Sequence, residues 1–242
     1  MTHDLFSALG TVAREGWAKL HWPRLVVDLQ AGHFSDLHTI ADWGGHGAGQ
    51  EIWPVMWRSD SASFSSNVGN APLHTDCQYL NNPPDIFILA CARPAADGGT
   101  TRLLRVENVE KSLLNFGLSA DEIELARSKI WSWQVPSSFQ AVVGYRSSIE
   151  RAILDPDGKV SWKLNNLVNS RRGLLPLGNK IAAAIEESED VVHLDLGPGD
   201  ILICNNNRVL HGRTSFSDKN RLLFRARGFL KDGLFGRQLN DI

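Results

Sequence analysis

The sequence predicts a mainly β domain, a sandwich or barrel with a few flanking helices. Short apolar and β-branched runs recur at residues 85–92, 100–104, 201–204 and 221–230. Turn signals separate them: Pro83-Pro84, Asp97-Gly98-Gly99, Asp155-Pro156-Asp157-Gly158 and Gly197-Pro198-Gly199-Asp200. Finally, no internal repeat, low-complexity tract or linker divides the chain, so residues 1–242 read as one domain.

Taken in order, residues 4–14 carry an amphipathic helical pattern that Gly16 ends, and a strand follows over 17–20. Residues 24–29, Arg-Leu-Val-Val-Asp-Leu, read as the next strand. From 31 to 69, Gly, Ser, His and Trp interleave without a clear period, and Gly44-Gly45-His46-Gly47 is loop. Such long irregular stretches in a compact domain tend to be functional rims or lids. Residues 85–92 form a continuous apolar run of strand length between prolines. Ser119 with Glu122 is a capping box that opens a helix through about residue 128. Asp155-Pro156-Asp157-Gly158 joins two strand-like stretches as a hairpin, and 177–188 looks helical. Residues 191–196 alternate, 201–204 make a buried strand, and 221–230 a last one.

The totals exclude several classes. The chain has 242 residues, 43% hydrophobic and 21% charged, an ordinary globular composition. A formal net charge of −2 and the lack of a basic run argue against nucleic acid as a partner. No run of 18 apolar residues exists to span a membrane, and the first residues lack a secretory pattern. Three cysteines, odd in number and widely spaced, suit a reduced, cytoplasmic protein. Eight tryptophans serve mainly as core, with some free to line a pocket. Nothing bears on oligomeric state.

Chemistry enters with His74-Thr75-Asp76 and with His211 far downstream. Two imidazoles and a carboxylate hold ferrous iron on one face and leave the other face open. On an extended strand, His74 and Asp76 point the same way, and Cys77 turns to the opposite face. A neighbouring strand would have to deliver His211. The remaining histidines read as surface or structural residues.

These residues resemble the iron(II)- and 2-oxoglutarate-dependent dioxygenases of the taurine dioxygenase type, a group that includes clavaminate synthase-like and γ-butyrobetaine hydroxylase-like enzymes. The resemblance covers roughly residues 70–105 and 197–229. It rests on four elements in order: His74-x-Asp76, Gly98-Gly99-Thr100-Thr101, His211-Gly212-Arg213, and the pair Arg221 and Arg225. It implies a double-stranded β-helix (jelly roll) fold. It also implies Fe(II) on His74, Asp76 and His211, with 2-oxoglutarate as co-substrate and O2 as oxidant.

By the same resemblance, Arg221 holds the distal carboxylate of 2-oxoglutarate, a role suited to a planar guanidinium, and Thr101 donates a hydroxyl hydrogen bond to the same co-substrate. Arg225 meets either the acidic group of the substrate or the co-substrate, and Arg227 shares its strand parity. Asn70 matches a substrate-contacting position and reads equally well as a turn asparagine. Residues 78–82 and 43–64 are where the pocket rim is expected.

Asp76 favours hydroxylation, or another C–H oxidation, over halogenation, because related halogenases lack that carboxylate. The implied activity is oxidation of a small carboxylate-bearing molecule, such as an amino acid or secondary metabolite, with release of succinate and CO2. Two other readings of the chain are a non-catalytic jelly-roll binding or sensing protein and a cupin-type iron dioxygenase that does not use 2-oxoglutarate.

Overall fold

A computed structural model describes residues 2–33, 35–44, 52–59, 66–137, 140–141, 144–168 and 173–231. Helix α1 (Thr2–Glu15) leads into strand β1 (Trp17–His21), as the sequence predicts. Residues 24–29 then depart from expectation: they lie in helix α2 (Pro23–Gln30), not in a strand. Pro23 occupies the first turn, where its missing N–H costs no bond and its fixed φ suits a helix. Burial falls on Leu25, Val26 and Leu29, a helical spacing. A strand would have buried Val27, which is 63% exposed.

The stretch from 31 to 69 is not all loop. It contributes strands β2 (Ala41–Trp43) and β3 (Ile52–Met56), both too short to show a period in sequence. Part of the expected loop, including Gly45, His46 and Gly47, lies outside the described residues. Next come β4 (Ala71–His74), β5 (Ile86–Arg93) and β6 (Thr101–Arg105).

Helix α3 (Val106–Asn115) precedes α4 (Ala120–Arg127). The α4 terminus carries the expected capping box, with Ser119 Oγ accepting from Glu122 N and Glu122 accepting from Ser119 N. Strands β7 (Trp131–Gln134) and β8 (Ser148–Arg151) pair as a hairpin, and the Asp155–Gly158 turn closes only a single bridge, Leu154 to Val160. Helix α5 (Leu175–Glu186) and strands β9 (Val192–Leu194), β10 (Asp200–Asn205), β11 (Val209–Arg213) and β12 (Leu222–Leu230) complete the described chain.

Two antiparallel sheets face each other. The larger runs β1-β10-β5-β12-β2, with β3 also on β12, and the smaller runs β4-β11-β6-β9. Between them Phe87, Leu202 and Leu223 of the larger sheet meet Leu103 and Val209 of the smaller. The outer face of the larger sheet is covered by α1 and α2, with Leu5, Leu9, Leu25 and Leu29 buried against Ile88 and Ile203. The outer face of the smaller sheet lies under α3 to α5 and the β7–β8 hairpin, where Trp131, Trp133 and Trp162 are fully buried. Tryptophan is therefore largely core, and truncating one of these three to Ala should cost about 3–5 kcal/mol.

The three cysteines are free and buried. Burial pushes the Cys91 thiol up to about 11 and the Cys204 thiol well above its ordinary value, so both are inert thiols. No helix among the described residues is long and apolar enough to cross a membrane.

Candidate active site

Alternation decides which side chains of β11 face the interior. Val209, His211 and Arg213 face the larger sheet, and Leu210 packs in the outer cluster. His211 pairs directly with His74 on β4 and with Leu103 on β6. Gly212 lies on the opposite face, where a Cβ would come within 2.6 Å of Ala71 O and 3.0 Å of Leu73 N. A side chain there would force β4 and β11 apart. The ladder between these strands is already irregular between His211 and Arg213.

Asp76 reaches the same spot by another route. Strand β4 ends at His74, so Asp76 does not lie on a strand, and Cys77 turns with φ of 55°. The carboxylate is aimed by a turn, and Asn206 fixes that turn. Asn206 Oδ1 accepts from Asp76 N at 2.8 Å, and its Nδ2 donates to Asp76 O and Pro84 O, each at 3.0 Å. Cys77 is not directed away from the site either, because Arg227 Nη1 donates to its Sγ at 3.2 Å.

His74, Asp76 and His211 each offer a ligand atom, and these atoms all lie within 4.8 Å of one another. The three residues are 6%, 3% and 6% exposed. Nε2 of each histidine is 3.8 Å from an Asp76 oxygen. His74 Nδ1 lies 2.8 Å from Pro72 O. Donation there leaves Nε2 as a lone-pair donor, the arrangement a metal-ligating histidine needs. Burial holds both imidazoles below their ordinary range, His211 at about 3, with the nearby cations Arg227 and Lys163 adding to the effect on His211. Both are thus neutral, as ligation requires. Phe87 of β5 packs against His211, ring centroids 4.3 Å apart, and forms the floor.

The triad opens on a cavity of about 120 Å³ between the sheets. Thr101, Arg221, Arg225 and Arg227 line it, as does Lys163, which sequence reasoning missed. Leu223, Arg225 and Arg227 alternate on the inward face of β12, and Arg221 immediately precedes the strand. Arg225 Nη2 is in direct contact with Asp76 Oδ2, and Arg227 Nε is 3.0 Å from the same oxygen. Arg221 packs beside Gly99, whose φ of 72° and nearness to Arg221 Nε (3.2 Å from a Cβ built there) leave no room for a side chain. Burial lowers Arg221 to about 10 and Lys163 to about 8.

Asn70 is not brought in. It is exposed at the start of β4 and does not line this cavity. Of the expected rim, Val55 lines the cavity, and Trp53 stacks under Arg227 at 4.8 Å. Trp43 is buried in the outer core, and Asn81 and Asn82 line a second, polar recess that Asp76 also borders. A larger recess, about 950 Å³ beside α1, β1 and β9, contains no triad residue. Size does not locate the chemistry here; the converging donors do.

Fold and site together define a jelly-roll protein with a two-histidine, one-carboxylate donor set inside its mouth. The family model for taurine catabolism dioxygenase TauD, TfdA family, matches residues 175–227. Human γ-butyrobetaine dioxygenase is 23% identical over 176 residues, covering 68% of this chain and 44% of that enzyme. The chain thus spans less than half the length of that relative.

Among solved structures, asparagine oxygenase superposes with a TM-score of 0.73 at 18% identity, over 94% of this chain and 78% of that one. The iron oxygenase OrfP, in complex with Fe and α-ketoglutaric acid, gives 0.62 at 14% identity, over 93% and 79%. The chain is similar in sequence to these dioxygenases over part of its length, and it shares the jelly-roll fold of the solved oxygenase structures.

Proposed function

We propose that this chain is an Fe(II)- and 2-oxoglutarate-dependent oxygenase. It oxidises an unactivated C–H bond of a small carboxylate-bearing molecule of the amino-acid class, and releases succinate and CO2. One observation carries the reading. The metal-type triad opens on a cavity whose described charged lining is five cations against the single carboxylate Asp76. Such a site suits anionic ligands, because its charge balance is strongly positive in a buried setting. A keto diacid beside the metal meets that demand.

The comparisons support the same direction. One asparagine oxygenase structure holds Fe(II), 3-hydroxyasparagine and succinate. An OrfP structure holds Fe, succinate and 3-hydroxy-arginine.

In this reading His74 Nε2, His211 Nε2 and an Asp76 oxygen hold the iron. Iron with 2-oxoglutarate and O2 supplies the oxidising chemistry when bound. The chain supplies the rest. Arg221 takes the distal carboxylate of 2-oxoglutarate in a fork-to-fork pair, with the Thr101 hydroxyl as a second donor. Phe87 and Leu223 keep the floor dry, and Asn206 holds the Asp76 turn in register. Arg225, in contact with Asp76, would meet the acidic group of the substrate or of 2-oxoglutarate. The chain works in this reading as one jelly-roll domain in a reducing, cytoplasmic setting.

The test is anaerobic titration of Fe(II)-loaded protein with 2-oxoglutarate. A visible metal-to-ligand charge-transfer band is expected in the wild type and is lost in His211→Ala. No band in correctly folded, iron-loaded wild-type protein would overturn the assignment.

A further inference from the structure

Strand β4 carries His74 and is an edge strand of the smaller sheet, paired only with β11 among the described strands. Its register against β11 slips. His74 faces His211 and Ala71 faces Arg213, so β4 uses one residue more than its partner between those rungs. The slip falls on Pro72 and Leu73. A bulge of this kind loosens the local ladder, and Pro72 has no N–H to give it.

The segment is braced from the end of α5. Glu186, the last residue of that helix, accepts from Leu73 N through Oε1 at 2.6 Å. Arg102 on β6 aims the carboxylate: its Nη1 donates to Glu186 Oε2, and its Nη2 donates to Glu186 O at 3.0 Å. Gly212, opposite Arg102 on β11, is bare and lets the Pro72–Leu73 peptide lie close. A Cβ there would come within 3.1 Å of Pro72 C and 3.0 Å of Leu73 N. Helix stability does not account for Glu186, because a carboxylate at a helix C-terminus meets the negative end of the dipole.

The N–H that Glu186 accepts and the carbonyl that His74 uses belong to one peptide plane. Pro72 O lies 2.8 Å from His74 Nδ1, and the Pro72–Leu73 peptide is trans, so its N–H and C=O point opposite ways. A carboxylate at the N–H pole polarises the plane and leaves more negative charge on the oxygen at the other pole. That oxygen then holds the His74 Nδ1 proton more strongly, and Nε2 becomes a better lone-pair donor.

We propose that Glu186 is a positioning residue for His74, a role that rests on the oxygenase reading of His74 as an iron ligand. Glu186 acts through the Pro72–Leu73 peptide, and Arg102 holds it in place. The carboxylate fixes the plane, and the plane fixes the ring. His211 has no such support, since its Nδ1 has no hydrogen-bond partner among the described residues. The two imidazoles of the triad are therefore unequal, and His74 is the better oriented donor.

The test uses the full chain with zinc(II) as the metal probe and reads two quantities. Zinc affinity is measured by competition with a chromogenic chelator. The imidazole N–H resonances of the zinc-loaded protein are read by proton–nitrogen NMR, with His211 as internal reference. Glu186→Ala should weaken zinc binding roughly tenfold. It should also move the His74 Nδ1–H resonance upfield, as that hydrogen bond weakens, and leave the His211 resonance in place. Glu186→Gln keeps an oxygen for Leu73 N without the charge. It should recover part of both effects, and it carries the test if the alanine variant does not fold. Lys180→Met is the control: it cuts a different tie of α5, the ion pair to Glu122, and should leave affinity and both resonances unchanged.

Wild-type protein that binds no zinc, or His211→Ala protein that binds it as tightly, overturns the oxygenase reading itself. With that reading intact, zinc affinity unchanged in both Glu186 variants refutes the role of Glu186. An affinity loss with the His74 resonance in place refutes it too, as does an equal loss in Lys180→Met, since either makes the docking of α5 alone responsible.

Discussion

His211 lies directly across the β4–β11 ladder from His74, and their ring centroids are 4.3 Å apart. Two of the three donors therefore come from one rung of one sheet, whose spacing is set by backbone hydrogen bonds. Asp76, two residues past His74, is the only donor aimed by a turn. Sites on sheet rungs are held more tightly than sites on loops. The weak point of this triad is thus the carboxylate, and its support is Asn206.

Replacing Asp76 and replacing His211 should differ in kind. Both changes should abolish tight metal binding, measured by competition with a chromogenic chelator. Asp76→Ala also leaves Arg225 and Arg227 buried without their counter-ion, and should cost about 3–5 kcal/mol in urea unfolding. His211→Ala removes a neutral ring and leaves no charge behind, so its loss should be clearly smaller. Equal losses would contradict the charge argument.

Asn206→Ala removes three hydrogen bonds that fix the Asp76 turn to Pro84. Partners of metal ligands typically contribute about 10–100-fold in affinity. A loss of that size in metal affinity is expected while the circular dichroism of the sheets is retained. Unchanged affinity would show that the turn holds itself.

Gly212→Ala introduces a methyl group where Ala71 O would be 2.6 Å away. The strand pair must open, and His74 moves with it. Metal affinity should fall by an order of magnitude or more, with destabilisation of about 1–3 kcal/mol, typical of overpacking. Gly212→Ala with wild-type metal affinity would mean that β4 yields freely.

The two arginines should separate by ligand. Arg221→Gln should weaken 2-oxoglutarate binding by about 10–100-fold, since a bidentate charged pair is lost. It should leave iron binding intact. Arg225→Gln removes one of the two arginines on Asp76 Oδ2 and should tighten metal binding in the absence of 2-oxoglutarate. Dissociation constants for both ligands in both variants decide the matter.

The capping box on α4 provides a pH handle remote from the site. Glu122 is held below its ordinary value of 4.5, first by the hydrogen bond from Lys180 and then by that from Ser119 N. A depressed carboxyl contributes stability above its unfolded value, and that contribution is lost as pH falls through the folded one. Glu122→Gln should therefore destabilise at pH 7, and the effect should shrink as pH falls below 4.5. Ser119→Ala should cost about 1 kcal/mol at pH 7.

How much of this was legible depended on what each residue needed. Strands β5, β10 and β12 are buried on both faces, so they read as apolar runs. Helix α2 misled because Leu-Val-Val-Asp-Leu suits a strand by composition, and only Pro23 and the exposure of Val27 reveal the helix. Strands β2 and β3 are ordered by their pairing with β12, a tertiary fact absent from their own short sequences. In the site, His74, Asp76, His211, Thr101 and Arg221 form recognisable spacings, and the structure gathers all five. Lys163 and Asn206 carry no motif. Each is positioned by main-chain bonds to the segment around Asp76, and no spacing rule connects residues so far apart. Asn70 had a spacing but no contact to match it.

Because β11 lies between β4 and β6, the donor set does not exist until the last third of the chain has returned to the first. Pairing across such sequence separations carries a loop-closure cost before any contact rewards it, which makes this a high-contact-order, slow-folding topology. A metal ion cannot template that closure, since no two-histidine partial site exists along β4 alone. It can only trap the closed state, adding stability as RT ln(1 + [M]/Kd). Metal uptake during refolding is therefore a clock for the docking of β11, and a chain stalled short of residue 211 should bind metal no better than an unstructured peptide.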